Sequence, residues 1–171
     1  MHDDVTELLT RAEDSAQHIT WAIVDCAEED LRTPADEGEW SPMQIFGHVK
    51  ACDDIMTSRI ATLLTHPNPT LVNFDENAWQ AIAGYDEAPL DQTLMAYQRH
   101  RSEMLFQLKR LPEDAWNRTA QHETRGTLTL FDLVRTFIEH EEAHVTQLEA
   151  AFADDDVVAD AVTEDVGDDS P

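Results

Sequence analysis

Three histidines are the residues of this sequence whose type and spacing best suit metal chemistry. His140 and His144 are four residues apart, and His48 lies far upstream. Residues four apart share one face of a helix, so His140 and His144 can point at a single ion. All three lie on otherwise apolar helical stripes, where an imidazole must satisfy both ring nitrogens, and coordination of a cation by one nitrogen does this. The pattern predicts a metal site formed by His48, His140 and His144.

The alternative is that each is an ordinary core histidine bonded to a carboxylate or a carbonyl. A pair at helical spacing plus a third histidine on the same kind of stripe favours the metal. Three imidazoles leave a coordination position open, which marks a catalytic rather than a structural site, and they suit zinc or nickel equally. Cys52 lies one turn after His48 and is a further candidate ligand, although a small buried residue is its commoner role.

Residues 140–144, His-Glu-Glu-Ala-His, also match the H-E-x-x-H pattern of zinc metalloproteases, in which the glutamate is the general base. Such a protease needs a third ligand, usually downstream, and an extended edge to hold its peptide. Only Glu149 precedes the acidic C-terminal tail, and no edge strand is visible. Glu141 remains a candidate acid or base beside the ion, with a solvated helix carboxylate as the alternative.

Helical periodicity predicts the elements that position these residues. Ser41, Pro42 and Gln44 form a complete helix start before His48, and Thr129 with Asp132 forms another before His140. Four long helices with no convincing strand predict an all-α four-helix bundle. The predicted helices cover about 4–30, 42–64, 90–111 and 129–152, with a short extra helix from Asp75 in the connection between the second and third.

The irregular segment 112–128 is long for a simple turn, so we expect it to cross one end of the bundle and roof the site. His122 in this segment is expected to be a solvated loop histidine unless it approaches the site. Arg101 lies on the inward stripe of the third long helix. It is a candidate to hold an anionic substrate or cofactor, while a buried ion pair is the commoner use of such an arginine.

The net charge of −25, from 36 acidic against 11 basic residues, excludes several classes of partner. Such a surface repels phosphate backbones and anionic lipids, so we expect neither a nucleic acid nor a membrane partner. No long apolar run or signal peptide is visible, and Cys26 and Cys52 both lie on inward stripes. These features predict a reducing, cytoplasmic location.

Acidic residues are concentrated at the C-terminus, where residues 154–171 contain eight acids and no base. Their composition predicts a disordered tail after a bundle domain over 1–153. The bundle itself is also unusually acidic. Adaptation to high salt explains this, because cations screen the repulsion between carboxylates. Composition does not distinguish such a protein from an acidic one with no saline history.

Several motifs occur in an order more specific than any one of them: Trp40-Ser41-Pro42 with Ile45-Phe46-Gly47-His48, then Phe74-Asp75-Glu76 with Trp79, Arg101, Trp116, Gly126-Thr127-Leu128-Thr129-Leu130, and His140 to Leu148. Together they resemble the DinB-like, YfiT-type family of metal-binding four-helix proteins. The resemblance implies a divalent metal, zinc or nickel, on His48, His140 and His144, and a homodimer.

Family members with assigned chemistry are metal-dependent thiol transferases that use low-molecular-weight thiols such as bacillithiol or mycothiol. The resemblance therefore implies a thiol cosubstrate and an electrophilic small-molecule substrate for this chain. A non-catalytic metal-binding or stress-response protein of the same fold is the second interpretation, and the zinc metalloprotease is the third.

Overall fold

Four long helices form the body of the computed structural model, which describes residues 2–24 and 26–153, with Ala153 by its backbone alone. They are α1 (His2–Val24), α3 (Pro42–Thr65), α5 (Leu90–Lys109) and α6 (Leu130–Ala153). Helices α1 and α3 each pack against both α5 and α6, so each long helix lies between two neighbours. The predicted all-α four-helix bundle is confirmed. The predicted disordered tail, 154–171, lies outside the described residues.

Capping boxes begin two of these helices where the sequence predicts them. Ser41 Oγ accepts a hydrogen bond from the Gln44 backbone N–H at 3.3 Å, and Gln44 Oε1 accepts one from the Ser41 N–H at 2.9 Å. Thr129 and Asp132 exchange the equivalent bonds at 3.0 and 3.2 Å at the start of α6. Each box satisfies backbone donors that the first turn leaves free. The boxes also fix the faces on which the later histidines lie.

Two short α-helices lie in the connections between the long helices. The prediction of one helix over 4–30 is wrong, because α1 ends at Val24 and a separate α2 (Glu28–Arg32) follows. The short helix predicted from Asp75 is confirmed as α4 (Glu76–Ala83), with Asp75 as its N-cap. Helix α4 packs closely on α3 beside His48. A Cβ on Gly47 would lie only 3.1 Å from Gln80 Nε2, so glycine permits this approach.

The segment predicted to be irregular contains regular structure instead. A 3₁₀ helix (Glu113–Asn117) leads into a hairpin of β2 (Thr119–His122) and β3 (Gly126–Thr129). Strand β2 also pairs in parallel with the two-residue β1 (Thr70–Leu71), which makes a small three-stranded sheet. The short strands lack an alternating run of apolar residues, so their pairing leaves little signal in the sequence. Strand β3 runs directly into α6 and seats the hairpin against one end of the bundle.

The core consists of two apolar clusters separated by a buried polar layer. The cluster nearer the hairpin includes Leu8, Leu63, Leu108, Trp116 and Leu130. The other includes Ile19, Phe46, Tyr97 and Leu148. The polar layer consists of one buried residue from each long helix, namely Ser15, Asp53, Arg101 and Glu141. In the part of the chain that the structure describes, no helix is long and apolar enough to cross a membrane.

Candidate metal centre

The three predicted ligands lie together where α3 faces α6. His48 Nε2 is 3.2 Å from His140 Nε2, and His144 Nε2 is 3.2 Å from the same atom. The capped start of α3 sets the direction of His48, and the four-residue spacing on α6 aligns His140 with His144. His48 is buried, His144 is half-buried and His140 is exposed. The cluster therefore has a protected side and a side open to small molecules.

The hydrogen positions on these rings conflict unless a cation lies among them. Gln147 Oε1 lies 2.9 Å from His144 Nδ1 and can only accept a hydrogen bond, so the His144 hydrogen is on Nδ1 and its Nε2 carries a lone pair. His140 Nε2 carries either one hydrogen or one lone pair, yet it has two close nitrogen neighbours. At most one of these contacts is a linear hydrogen bond. A cation that accepts all three lone pairs removes the conflict.

The spacing of the nitrogens also fits a divalent ion. Metal–nitrogen bonds of about 2.0–2.1 Å separate neighbouring ligand nitrogens by about 3.0 Å at right angles and about 3.4 Å in a tetrahedron. The observed 3.2 Å lies within this range. The spacing suits zinc and nickel alike.

Desolvation favours the neutral state that a metal ligand needs at His48 and His140. Burial, followed by the charges of His144 and His140, lowers the pKa of His48 to about 4, while Glu76 opposes this. Although the His140 side chain is exposed overall, partial desolvation of its ring and the charge of His144 lower its pKa. A neutral imidazole has a free lone pair, whereas a protonated one has none. The rings of His48 and His140 are therefore ready to bind a cation at neutral pH.

Cys52 also lies within reach of the cluster. Its Sγ is 3.5 Å from His48 Nε2 and 3.6 Å from His140 Nε2. Its sulfur and these two ring nitrogens are close enough together to share one ion. Burial, followed by the charges of Glu76 and Glu141, raises the pKa of the Cys52 thiol to about 12. In the metal-free protein the Cys52 thiol is therefore protonated and would have to lose its proton to bind a metal. The three histidines can bind one without such a step.

The structure places Glu141 and Arg101 away from the roles for which the sequence made them candidates. Glu141 is 1% exposed, and its Oε2 accepts a hydrogen bond from Ser15 Oγ at 2.6 Å. Its Oε1 accepts one from Tyr97 Oη at 2.8 Å and another from Arg101 Nη2. Arg101 Nη2 also lies 3.3 Å from Asp53 Oδ1.

Both charged groups thus belong to the polar layer of the core. The carboxylate of Glu141 already accepts three hydrogen bonds and faces the core, which argues against a general base at the metal. Burial lowers the pKa of Arg101, but the charges of Glu141, Tyr97 and Asp53 more than offset this and hold it above its ordinary value. The sequence left two roles open for Arg101, an anion site and a buried ion pair. The geometry supports the buried ion pair.

A second group of metal-ligand types, Asp53, Asp54 and His100, lies on the α3–α5 side. Lys50 forms ion pairs with both carboxylates, and Arg101 pairs with Asp53. Since protein cations already balance these carboxylates, the group is a structural network rather than a metal centre.

A cavity of about 150 Å³ adjoins the exposed side of the histidine cluster. Cys52, Phe137 and His140 line it from the helices, and His122 and Leu128 line it from the hairpin. The segment expected to roof the site does border it. His122 is only 5% exposed and lines this cavity, so of the two alternatives it approaches the site and is not a solvated loop histidine.

The sequence assigned no site role to three further residues around this cavity, Arg59, Glu76 and Arg125, although Glu76 belongs to one of the motifs that carry the resemblance. Arg59 continues the face of α3 that carries His48, Cys52 and Ile55, so helical spacing is a signal that could have identified it. Glu76 and Arg125 lie in connections between the long helices. Their approach depends on tertiary structure and leaves no periodic signal.

Comparison with known proteins gives concordant matches. A family model described as the DinB superfamily matches residues 11–148. A protein of Oceanobacillus iheyensis, provisionally named a metal-dependent hydrolase, is 22% identical over 151 residues, which cover 88% of this chain and 87% of that protein. YfiT from Bacillus subtilis, described as a probable metal-dependent hydrolase with an unusual four-helix bundle topology, has a TM-score of 0.77 at 19% identity and covers 86% of this chain and 85% of its own.

A mycothiol-dependent maleylpyruvate isomerase has a TM-score of 0.69 at 15% identity. The match covers 84% of this chain and 60% of the isomerase chain. At such identities the structural likeness shows the shared fold.

Proposed function

Because this chain belongs to the DinB superfamily, we propose that it binds a divalent metal through Nε2 of His48, His140 and His144 and acts on small molecules. The observation that carries this proposal is the convergence of the three Nε2 atoms with 3.2 Å contacts that hydrogen bonding alone does not satisfy. The metal-dependent hydrolase name of the Oceanobacillus relative supports metal-centred chemistry, and the mycothiol dependence of the isomerase supports a thiol as cosubstrate.

A zinc or nickel ion on three neutral imidazoles supplies an open position that lowers the pKa of a bound thiol or water. The protein's own residues prepare this position. Gln147 holds the His144 hydrogen on Nδ1 and leaves Nε2 free. Burial keeps His48 neutral, and the cavity beside His140 admits a small substrate to the exposed side of the cluster.

We favour transfer of a low-molecular-weight thiol to an electrophilic small molecule. The thiol loses its proton to water, the thiolate forms a sulfur–carbon bond, and the leaving group departs as an anion with the electron pair of the bond that breaks. Hydrolysis, in which water takes the place of the thiol, is the second candidate, and the name of the Oceanobacillus relative favours it. The geometry argues against a peptidase of the H-E-x-x-H type, since the Glu141 carboxylate is engaged in the polar layer. A non-catalytic metal-binding protein of the same fold would retain metal and show no turnover.

The first test is the metal content of protein purified without a histidine tag or chelator. We expect about one zinc or nickel per chain in the wild type, and its loss in His48→Ala and in the His140→Ala/His144→Ala double variant. His66→Ala is the matched control, because His66 is exposed at the end of α3 and outside the cluster. Wild-type protein that takes up neither ion at neutral pH, or undiminished metal in His48→Ala, would refute the assignment.

The second test separates the reactions. The metal-loaded protein is incubated with 1-chloro-2,4-dinitrobenzene and bacillithiol, mycothiol or glutathione, and separately with p-nitrophenyl acetate. Thiol transfer predicts a thiol-dependent dinitrophenyl product that disappears in the double histidine variant. Release of nitrophenol without added thiol, lost in the same variant, supports hydrolysis. Bound metal with neither product supports the non-catalytic interpretation.

A further inference from the structure

The cavity beside His140 has a positive lining in an otherwise very acidic protein. Arg59 on α3 and Arg125 at the hairpin tip both line it, and Glu76 is the one carboxylate among its lining residues. The chain as a whole carries a net charge of −25. Two guanidinium groups in one cavity therefore run against the composition of the surrounding surface.

Neither arginine has a carboxylate partner among the described residues. Seven of the eleven basic side chains form such ion pairs, and these are Arg11, Arg32, Lys50, Arg99, Arg101, Lys109 and Arg135. Arg59 donates from Nη2 to the Val72 carbonyl at 3.0 Å, while its Nε is buried without any hydrogen-bond partner. Arg125 is exposed and lies close enough for its charge to act on both Arg59 and His140.

The two guanidinium groups also repel each other. Burial lowers the pKa of Arg59, and the charge of Arg125 lowers it further, while Glu76 and Cys52 oppose this. An anion between the two groups would relieve this repulsion and offer acceptors to guanidinium donors that no carboxylate of the described residues pairs with. The arrangement is that of an anion site formed from α3 and the hairpin.

His122 adds a neutral donor to the same cavity. Its Nδ1 accepts a hydrogen bond from the Thr124 backbone N–H at 3.3 Å, so the ring hydrogen is on Nε2. Burial lowers the pKa of His122, and the charges of Arg59 and Arg125 lower it further, which keeps the ring neutral. The cavity thus has two charged donors and one neutral donor, whereas its remaining lining is largely apolar, including Ile55 and Phe137.

We propose that this cavity binds the carboxylate of a small, partly apolar acid through Arg59, Arg125 and His122, with the rest of the molecule directed toward His140. The planar fork of a guanidinium matches a carboxylate, and the cavity volume of about 150 Å³ suits a short chain. This inference rests on the proposed function, because it names the class of substrate that the metal centre would receive. It transfers the anion-binding role from Arg101 to residues that face the cavity.

The test compares pentanoate with pentanamide, its neutral analogue of nearly equal shape, by ligand-observed NMR or calorimetry at constant ionic strength. The full chain is used as purified and again after chelator treatment, so that coordination to a metal is separated from binding by arginine. We expect pentanoate to bind in both states. Pentanamide should bind with an affinity at least about tenfold lower. Arg59→Gln and Arg125→Gln should each weaken pentanoate binding by a similar factor.

Arg110→Gln is the matched control. Arg110 also lacks a carboxylate partner among the described residues, and its guanidinium lies over the Phe106 ring outside the cavity, so the variant makes the same change in net charge. Arg125 is exposed, so its variant tests the proposal even where Arg59→Gln unfolds the protein. Equal binding of the amide, equal weakening by Arg110→Gln, or no binding of pentanoate would overturn the proposal.

The outcomes separate this proposal from the metal site. Arginine-dependent binding of pentanoate to a protein that takes up no metal would refute the proposed function and leave the anion site standing. One metal per chain with no carboxylate binding would refute the anion site and leave the proposed function standing.

Discussion

Glu141→Gln is expected to destabilise the protein and leave its metal content unchanged. The glutamate side chain is 1% exposed and accepts hydrogen bonds from Ser15, Tyr97 and Arg101. The amide has almost the same volume, so the change removes charge without making a cavity. The remaining oxygen of the glutamine can still accept hydrogen bonds from Tyr97 and Arg101. The Ser15 hydroxyl can rotate to accept one from the new NH₂ group.

The magnitude follows from the loss of charge. A hydrogen bond to a charged group contributes about 1.5–3 kcal/mol, against about 0.5–1.5 kcal/mol for a neutral one, so three weakened bonds cost about 3 kcal/mol. Asp53 remains beside Arg101, so its guanidinium keeps one opposite charge. For a chain of this length, about 3 kcal/mol lowers the melting temperature by about 6–12 °C.

Glu142→Gln is the control because it makes the same chemical change one residue away. Glu142 pairs with Arg11 at 2.6 Å, and both side chains are more than a third exposed, so its loss should cost less than about 1 kcal/mol. Urea unfolding and elemental analysis of both variants measure stability and metal content. Equal stability of the two variants would refute the reasoning from the polar layer. Lost turnover with unchanged stability in Glu141→Gln would restore Glu141 as a catalytic group.

Three more outcomes are expected. The metal-free protein should lose stability as pH falls from about 6.5 to about 4. Within this window His48 takes up a proton in the unfolded state, whereas burial holds its pKa in the folded state near 4. Urea midpoints measured against pH should show a smaller loss in His48→Gln. Gln147→Leu should weaken metal affinity about 10- to 100-fold in a chelator competition, because His144 loses the acceptor that fixes its Nδ1 hydrogen. Equal affinity in the variant and the wild type would contradict this role of Gln147. Raising KCl from about 0.1 to about 2 M should raise the melting temperature, because salt screens the repulsion between carboxylates on the acidic surface. An unchanged melting temperature would remove the argument for adaptation to high salt.

The features predictable from the sequence are those that depend on near neighbours in the chain. Ser41 and Gln44 determine the start of α3 through bonds between residues three apart. The spacing of His140 and His144 places them on one face of α6 whatever surrounds them. Because His48 lies on an equally well-defined face, its approach to the pair follows once the two stripes pack together.

The features that were missed depend on contacts between distant residues. Arg101 is recognisable as an inward polar residue, but its pairing with Glu141 joins residues 40 apart across two helices. The break after Val24 carries no nearby glycine or proline, and Ala27 caps α2 without a side-chain bond. Strand β2, Thr-Ala-Gln-His, is held by backbone pairing with β1 and β3 and has no run of apolar residues to reveal it.

The hairpin also bears on how proteins of this architecture can diverge. His140 and Arg59 project from long helices whose packing constrains them, whereas Arg125 lies in the three-residue connection between β2 and β3. An exposed connection of this kind tolerates replacement and insertion far better than a packed helix does. If Arg125 binds substrate and the three histidines bind the ion, as proposed, mutation of this connection can change substrate preference while the metal ligands stay in place, and selection can act on the two properties separately.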